Sequence, residues 1–129
     1  MKISGKKVGK LLLVDDEKFI LALLQDILRD IADVIITAHN GREGLKKVKT
    51  EKPDIVISDV MMPEMNGYQF LQAVRESPET MNLPFILLTV KDQPVDIKRG
   101  RAFKADYYFT KPFDQIQLIK AIEELASTL

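Results

Sequence analysis

Five short apolar runs punctuate the chain, and between them apolar residues return every three or four positions. The runs are Leu11-Leu12-Leu13-Val14, Val34-Ile35-Ile36-Thr37, Ile55-Val56-Ile57, Phe85-Ile86-Leu87-Leu88 and Tyr107-Tyr108-Phe109. Ile55 to Ile57 is short, β-branched and without polar alternation, the pattern of a strand buried on both faces of a parallel sheet. Helical spacing takes over after the first run, where Phe19, Ile20, Leu23, Leu24, Ile27, Leu28 and Ile31 recur across 17–31 with charges between them. Asp33 then starts the next connection. Asn40 followed by Glu43 has the form of a capping box and opens a helix over 40–48; Asn66 with Gln69 repeats it before Phe70, Leu71 and Val74, and Ser77-Pro78 closes that helix. The last helix carries Phe113, Ile116, Ile119, Ile122, Leu125 and Ala126 on or near one face.

The segment 95–103 is the weakest of the helices. Pro94 suits a first turn, but Val95, Ile97, Ala102 and Phe103 make a ragged stripe, and Gly100 costs about 1 kcal/mol relative to Ala. Strands alternating with helices at this spacing predict an α/β domain of five βα units around a parallel sheet. Right-handed crossovers place helices on both faces.

Composition narrows the class. A chain of 129 residues with 46% apolar content is one domain, able to bury roughly two thirds of its unfolded surface. It has no cysteine, which removes disulfides and thiolate chemistry. No stretch approaches the ~18 apolar residues of a spanning helix. Lys plus Arg and Asp plus Glu both number 19, so nucleic acid is not the expected partner of this domain. Residues 1–9 read as a flexible, solvated leader and 10–129 as the domain.

Candidate chemistry lies where the runs end. Leu11 to Val14 leads into Asp15-Asp16-Glu17, Ile55 to Ile57 into Asp59, Phe85 to Leu88 into Thr89, and Tyr107 to Phe109 into Thr110-Lys111-Pro112. Parallel strands bring these ends to one edge, the edge where ligands bind in open α/β sheets. Carboxylates from Asp15, Asp16 and Asp59, the Thr89 hydroxyl and the Lys111 ammonium are the inventory of a site for a hard divalent cation and a phosphoryl group. His39, the only histidine, has no histidine partner and reads as structural or exposed.

These pieces, taken together and in order, resemble the receiver domain of two-component response regulators. The matching stretches are Val14-Asp15-Asp16-Glu17, Asp59-Val60-Met61-Met62-Pro63 with Asn66-Gly67, Leu88-Thr89, and Tyr108-Phe109-Thr110-Lys111-Pro112-Phe113. The resemblance implies a doubly wound, flavodoxin-like fold, with a five-stranded parallel sheet in order 2-1-3-4-5 and five helices. It also implies phosphoryl transfer to Asp59 from a histidine kinase or a histidine phosphotransfer protein in the cytoplasm. Mg²⁺, with Mn²⁺ as a substitute, would be held directly by Asp16, Asp59 and the Met61 carbonyl, and by Asp15 through water. Thr89, Val90 and Lys111 would surround the phosphoryl group, Lys111 pairing with Asp59 beforehand. Thr89 and Tyr108 would form the switch, and Pro112 would follow a cis bond. The domain would catalyse its own phosphorylation and dephosphorylation without turning over an external substrate.

The sequence departs from the family pattern in places. Val90 stands where alanine is usual, Lys104 where glycine is usual, and Tyr107 where a small or acidic residue is commoner. Lys98, Arg99, Arg101 and Lys104 make 95–103 and its exit basic, as a partner surface or as plain solvation. That helix is the element expected to move, toward a downstream protein or an output domain outside this chain; homodimerisation is compatible with the same surface. Two rivals stand beside this reading. An aspartate-nucleophile phosphatase would need an acid two residues after Asp59, where Met61 stands. A pseudo-receiver would bind partners without being phosphorylated, which the complete acidic set, Thr89 and Lys111 argue against.

Overall fold

An apolar run with no alternation has to be covered on both sides, and each inner strand meets this by sending alternate side chains into two separate cores. In the computed structural model, which describes residues 8–90 and 104–129, the strands are β1 (Val8–Val14), β2 (Ala32–Ala38), β3 (Ile55–Asp59), β4 (Phe85–Val90) and β5 (Tyr107–Lys111). They form one parallel sheet in the order β2-β1-β3-β4-β5. The helices are α1 (Lys18–Leu28), α2 (Gly41–Glu51), α3 (Gly67–Glu76) and α4 (Gln115–Ala126).

Leu11 and Leu13 of β1, Ile55 and Ile57 of β3 and Ile86 and Leu88 of β4 pack with Leu21, Leu24 and Leu28 of α1 and Leu118, Ala121 and Ile122 of α4. On the other face Leu12, Val14, Val56, Phe85 and Leu87 meet Val48 of α2 and Phe70, Leu71 and Val74 of α3. The doubly wound arrangement is therefore as expected. The helix count is not: four helices are present among the described residues, where five were expected. The remaining expectation, over 95–103, lies outside the described residues. It rested on a spacing that fits no continuous helical face, with Gly100 inside it.

Local signals at helix starts translate directly into hydrogen bonds. Asn66 Oδ1 accepts from the Gln69 N–H and Gln69 Oε1 from the Asn66 N–H, both at 2.9 Å, a complete capping box. Asn40 caps α2 by accepting from the Glu43 N–H at 2.8 Å, but the Glu43 carboxylate reaches one residue further back, to the N–H of the exposed His39. Asp114 caps α4 through the N–H groups of Ile116 and Gln117. Asp33, expected to begin a connection, lies within β2.

Helix faces depart from the expected stripes. In α1 the core takes Leu21, Leu24 and Leu28, while Phe19 is 77% exposed; in α4 it takes Leu118, Ala121 and Ile122, while Ile116 is 66% exposed. Both helices carry more apolar residues than one face can bury, so docking on the sheet chooses among them.

The Phe70 ring lies edge-on to Phe85 with centroids 5.1 Å apart, and both are fully buried. Phe70→Ala is expected to destabilise the fold by about 3–5 kcal/mol, the range for deleting a buried aromatic. Urea unfolding monitored by circular dichroism measures this, with an unchanged m-value.

Candidate functional site

Three strands deliver charged residues to the carboxyl edge of the sheet. Asp15 follows β1, its N–H donating to the Ala38 carbonyl at 3.1 Å and its Oδ1 accepting from the Glu17 N–H at 2.9 Å. Asp59 is the last residue of β3, and its Oδ1 accepts from the Val60 N–H at 2.9 Å. Lys111 ends β5 and runs past the end of β4, where its Nζ lies 2.9 Å from Asp15 Oδ2 and 3.2 Å from Asp59 Oδ1. The ammonium bridges two carboxylates, with the shorter contact to Asp15. Sequence reasoning paired it with Asp59 and did not anticipate Asp15.

Burial makes this arrangement electrostatically tense. Asp15 is 1% exposed and Asp59 4%, so two carboxylates share one ammonium in a desolvated pocket. Burial raises the Asp59 carboxyl to about 6, and repulsion from Asp15 adds to the rise; the Lys111 ion pair and the Val60 N–H oppose it. Lys111 is raised despite its own burial, because both carboxylates stabilise the ammonium.

Asp16 and Glu17 are exposed beside this pair, and Asp15, Asp16 and Glu17 offer carboxylate oxygens within 4.8 Å of one another. Carboxylate oxygens gathered this closely are donors for a hard cation. The charge excess on Asp15 and Asp59 is a second reason why positive charge fits here. Glu17 was not among the expected ligands; its position directly after Asp15-Asp16 is the signal that could have found it.

Of the other expected residues, Thr89, Val90, Met61 and Pro112 lie at the same edge, and Tyr108 sits nearer the start of β5. Thr89 is buried at the end of β4, level with Thr110, and the exposed Val90 is level with Lys111. Met61 is exposed in the loop after β3, and the Lys111–Pro112 peptide bond is cis. That loop is clamped at both ends. The Gly67 N–H donates to the Val60 carbonyl at 2.8 Å, and a Cβ at Gly67 would lie 2.3 Å from the Asp59 carbonyl oxygen. Gly41, opening α2, donates to the Met65 carbonyl at 3.1 Å. Tyr108 points outward from β5, and its hydroxyl accepts from the Ala105 N–H at 3.3 Å. Tyr107, beside it, faces α4 and donates to Glu124, a bond that raises its phenol pKa.

Comparison with known proteins agrees with this site. Residues 11–123 match the family described as the response regulator receiver domain. The chain is 40% identical over 116 residues to the alkaline phosphatase synthesis transcriptional regulatory protein PhoP of Bacillus subtilis, covering 88% of this chain and 48% of that protein. It is 35% identical over 115 residues to protein PilH of Pseudomonas aeruginosa, covering 89% of this chain and 95% of that one. The crystal structure of the signal receiver domain of a signal transduction histidine kinase from Syntrophus aciditrophicus matches with a TM-score of 0.87 at 33% identity, over 94% of this chain and 92% of that chain. The chain thus spans about half of the first of these relatives and nearly all of the second. This chain belongs to the response regulator receiver domain family, the phosphorelay signalling modules of two-component systems. Among the described residues, no helix is long and apolar enough to cross a membrane.

The raised Asp59 pKa has a consequence for stability. A carboxyl bound more tightly by its proton in the folded state favours folding below its unfolded pKa near 3.8, and that contribution is lost as pH rises through about 6. Asp59→Asn removes the buried charge, so in metal-free buffer it is expected to be the more stable protein at pH 7.5, by on the order of 2 kcal/mol. Its advantage should grow between pH 4 and 6 and level off above, as read by urea midpoints of both proteins across that range.

Proposed function

We propose that this domain accepts a phosphoryl group on Asp59 and passes the resulting charge change to a protein partner. The observation that carries the reading is the Asp59 carboxylate itself, buried at a strand end with Oδ1 held by the Val60 N–H and by Lys111, next to the triplet Asp15, Asp16 and Glu17. With Oδ1 so engaged, Oδ2 attacks phosphorus, forming a P–O bond as the donor's bond to phosphorus breaks, and the product is an acyl phosphate. Lys111 then stands ready to pair with a phosphoryl oxygen as a compact, mobile charge. Thr89 offers its hydroxyl from the neighbouring strand, with Val90 beside it. Asp15, Asp16, Asp59 and the Met61 carbonyl would hold a divalent cation, Mg²⁺ by preference and Mn²⁺ in its place. When bound, such an ion neutralises phosphoryl charge and lowers the barrier to attack by a weak nucleophile.

The donor would be a histidine kinase or phosphotransfer protein in the cytoplasm; likeness to the receiver domain of a histidine kinase supports a phosphotransfer partner in general. Because PhoP is described as a transcriptional regulator and is about twice as long, an output unit on a longer polypeptide is one destination for the signal. Tyr108 is the proposed switch residue, turning inward as Thr89 is drawn to the phosphoryl group. Hydrolysis of the acyl phosphate by the same site resets the domain. Met61, two residues after Asp59, has no proton to give a leaving alkoxide, which disfavours hydrolysis of external phosphate esters.

Incubation with acetyl phosphate and Mg²⁺ should add one phosphoryl mass to the intact chain and none to Asp59→Asn. A normal yield on the mutant would overturn the assignment of Asp59, and no adduct on either would point to a pseudo-receiver.

Cation binding should also separate the two neighbouring aspartates. Asp16→Ala is expected to weaken Mg²⁺ more than Asp15→Ala, because Asp15 is already committed to Lys111 and the Glu17 N–H. Titration followed by amide chemical shifts measures both, and equal losses would contradict the division.

A further inference from the structure

Arg75 occupies the last turn of α3, on the far side of the sheet's edge from the phosphoacceptor, yet it is hydrogen-bonded across three segments. Its Nη1 donates to the Leu83 carbonyl at 2.6 Å and its Nε to the Lys104 carbonyl at 3.0 Å, and Nη2 lies 3.4 Å from Asp106 Oδ2. Asp106 Oδ2 also accepts from the Phe85 N–H at 2.8 Å, and the guanidinium sits 6.0 Å from the Phe85 ring centroid. One side chain thus ties the end of α3 to the start of β4 and to the turn that enters β5.

That turn connects to Tyr108 through a single peptide plane. The Lys104 carbonyl and the Ala105 N–H belong to one planar amide. Its oxygen accepts from the charged Arg75, and its N–H donates to the Tyr108 hydroxyl at 3.3 Å. A charged donor on the carbonyl polarises the amide and strengthens the N–H as a donor. It also fixes where that N–H points. Tyr108, 43% exposed, is held at the outer end of this chain of bonds.

We propose that Arg75 is a positioning residue for the Tyr108 switch: by holding the Lys104–Ala105 peptide it stabilises the outward ring and so sets how readily the domain is phosphorylated. The inference rests on the reading of Tyr108 as the switch. Phosphorylation and the inward ring are linked, so whatever stabilises the outward ring opposes phosphorylation by the same factor.

The test is a double-mutant cycle on the full chain. Beryllofluoride with Mg²⁺, a stand-in for the phosphoryl group, is titrated into wild type, Arg75→Met, Tyr108→Phe and the double mutant, with amide spectra giving the Kd. Arg75→Met should tighten binding about two- to fivefold, the effect of weakening one net hydrogen bond on a two-state equilibrium. In the Tyr108→Phe background, where no hydroxyl receives the N–H, the same substitution should leave Kd unchanged. Lost thermal stability, shared by both backgrounds, is the structural contribution and does not enter the cycle. Should Arg75→Met fail to fold, Arg75→Lys carries the same cycle with a smaller effect. An equal change in both backgrounds, or unchanged or weaker binding in Arg75→Met alone, would overturn the role of Arg75. A wild-type protein that gives no response would instead overturn the phosphoacceptor reading, and this inference with it.

Discussion

One ammonium between two buried carboxylates governs the carboxyl edge of this sheet. Lys111 cannot fully satisfy Asp15 and Asp59 together, and the geometry keeps both carboxylates out of water. Desolvating charge costs several kcal/mol per ion unless the local pairing is close to complete. Here it is incomplete by one charge, and burial first, with repulsion from Asp15 added, raises the pKa of Asp59. Such a site is poised to accept positive charge, and a divalent cation held by these carboxylates would offset the repulsion and supply charge neutralisation for an incoming phosphoryl group. The same surplus explains why Lys111 is held so firmly as an ammonium. Losing its proton would leave two bare anions facing each other.

The tension is sustainable because the frame beneath it is rigid. β1, β3 and β4 are buried on both faces, each feeding alternate residues into two close-packed cores. Their ends cannot drift apart to relieve the repulsion. The loop after Asp59 is equally confined, with Gly67 against the Asp59 carbonyl and Gly41 against that of Met65. Neither position has room for a side chain, so the glycines are there for close approach. Pre-organisation of this kind places the reorganisation in the folding of the domain and leaves little for the moment of reaction.

The sheet was legible because its signals are local: Leu11 to Val14 and Ile55 to Ile57 declare two-sided burial in a few residues, and the charged residue after each run marks the functional edge. The caps at Asn40 and Asn66 were legible for the same reason. Helix faces were less so. Ile20, Leu21, Leu23, Leu24, Ile27 and Leu28 are compatible with several stripes, and only docking on β1 and β3 decides that Leu21 is buried while Phe19 is not. Leu118 was missed in α4 by the same degeneracy. The Lys111–Asp15 contact joins residues 96 positions apart, and Arg75 gathers Leu83, Lys104 and Asp106. No spacing rule connects such partners, because tertiary geometry alone brings them together. Among the expected elements, 95–103 had the least regular apolar spacing.

β5 differs from the other strands around the site in a way that bears on how a charge change at Lys111 is transmitted. Tyr107 and Phe109 stack at 6.0 Å and pack toward α4, while Tyr108 and Thr110 alternate with them on the exposed side. Strands packed on both faces have no open side into which a side chain can turn. Among the described residues β5 is packed on one, and it spans Tyr107–Lys111. At roughly 3.3 Å per residue it places Tyr108 about 10 Å from Lys111 along a single extended segment. A phosphoryl group on Asp59, as proposed, would add about −1.5 to −2 charge at pH 7, on the carboxylate that the Lys111 ammonium meets at 3.2 Å. The strand carrying that lysine also carries the exposed Tyr108. Its other end enters through the turn held by Arg75 and Asp106. β5 is therefore held at its start by a guanidinium and at its finish by two carboxylates, with Tyr108 placed between the two anchors.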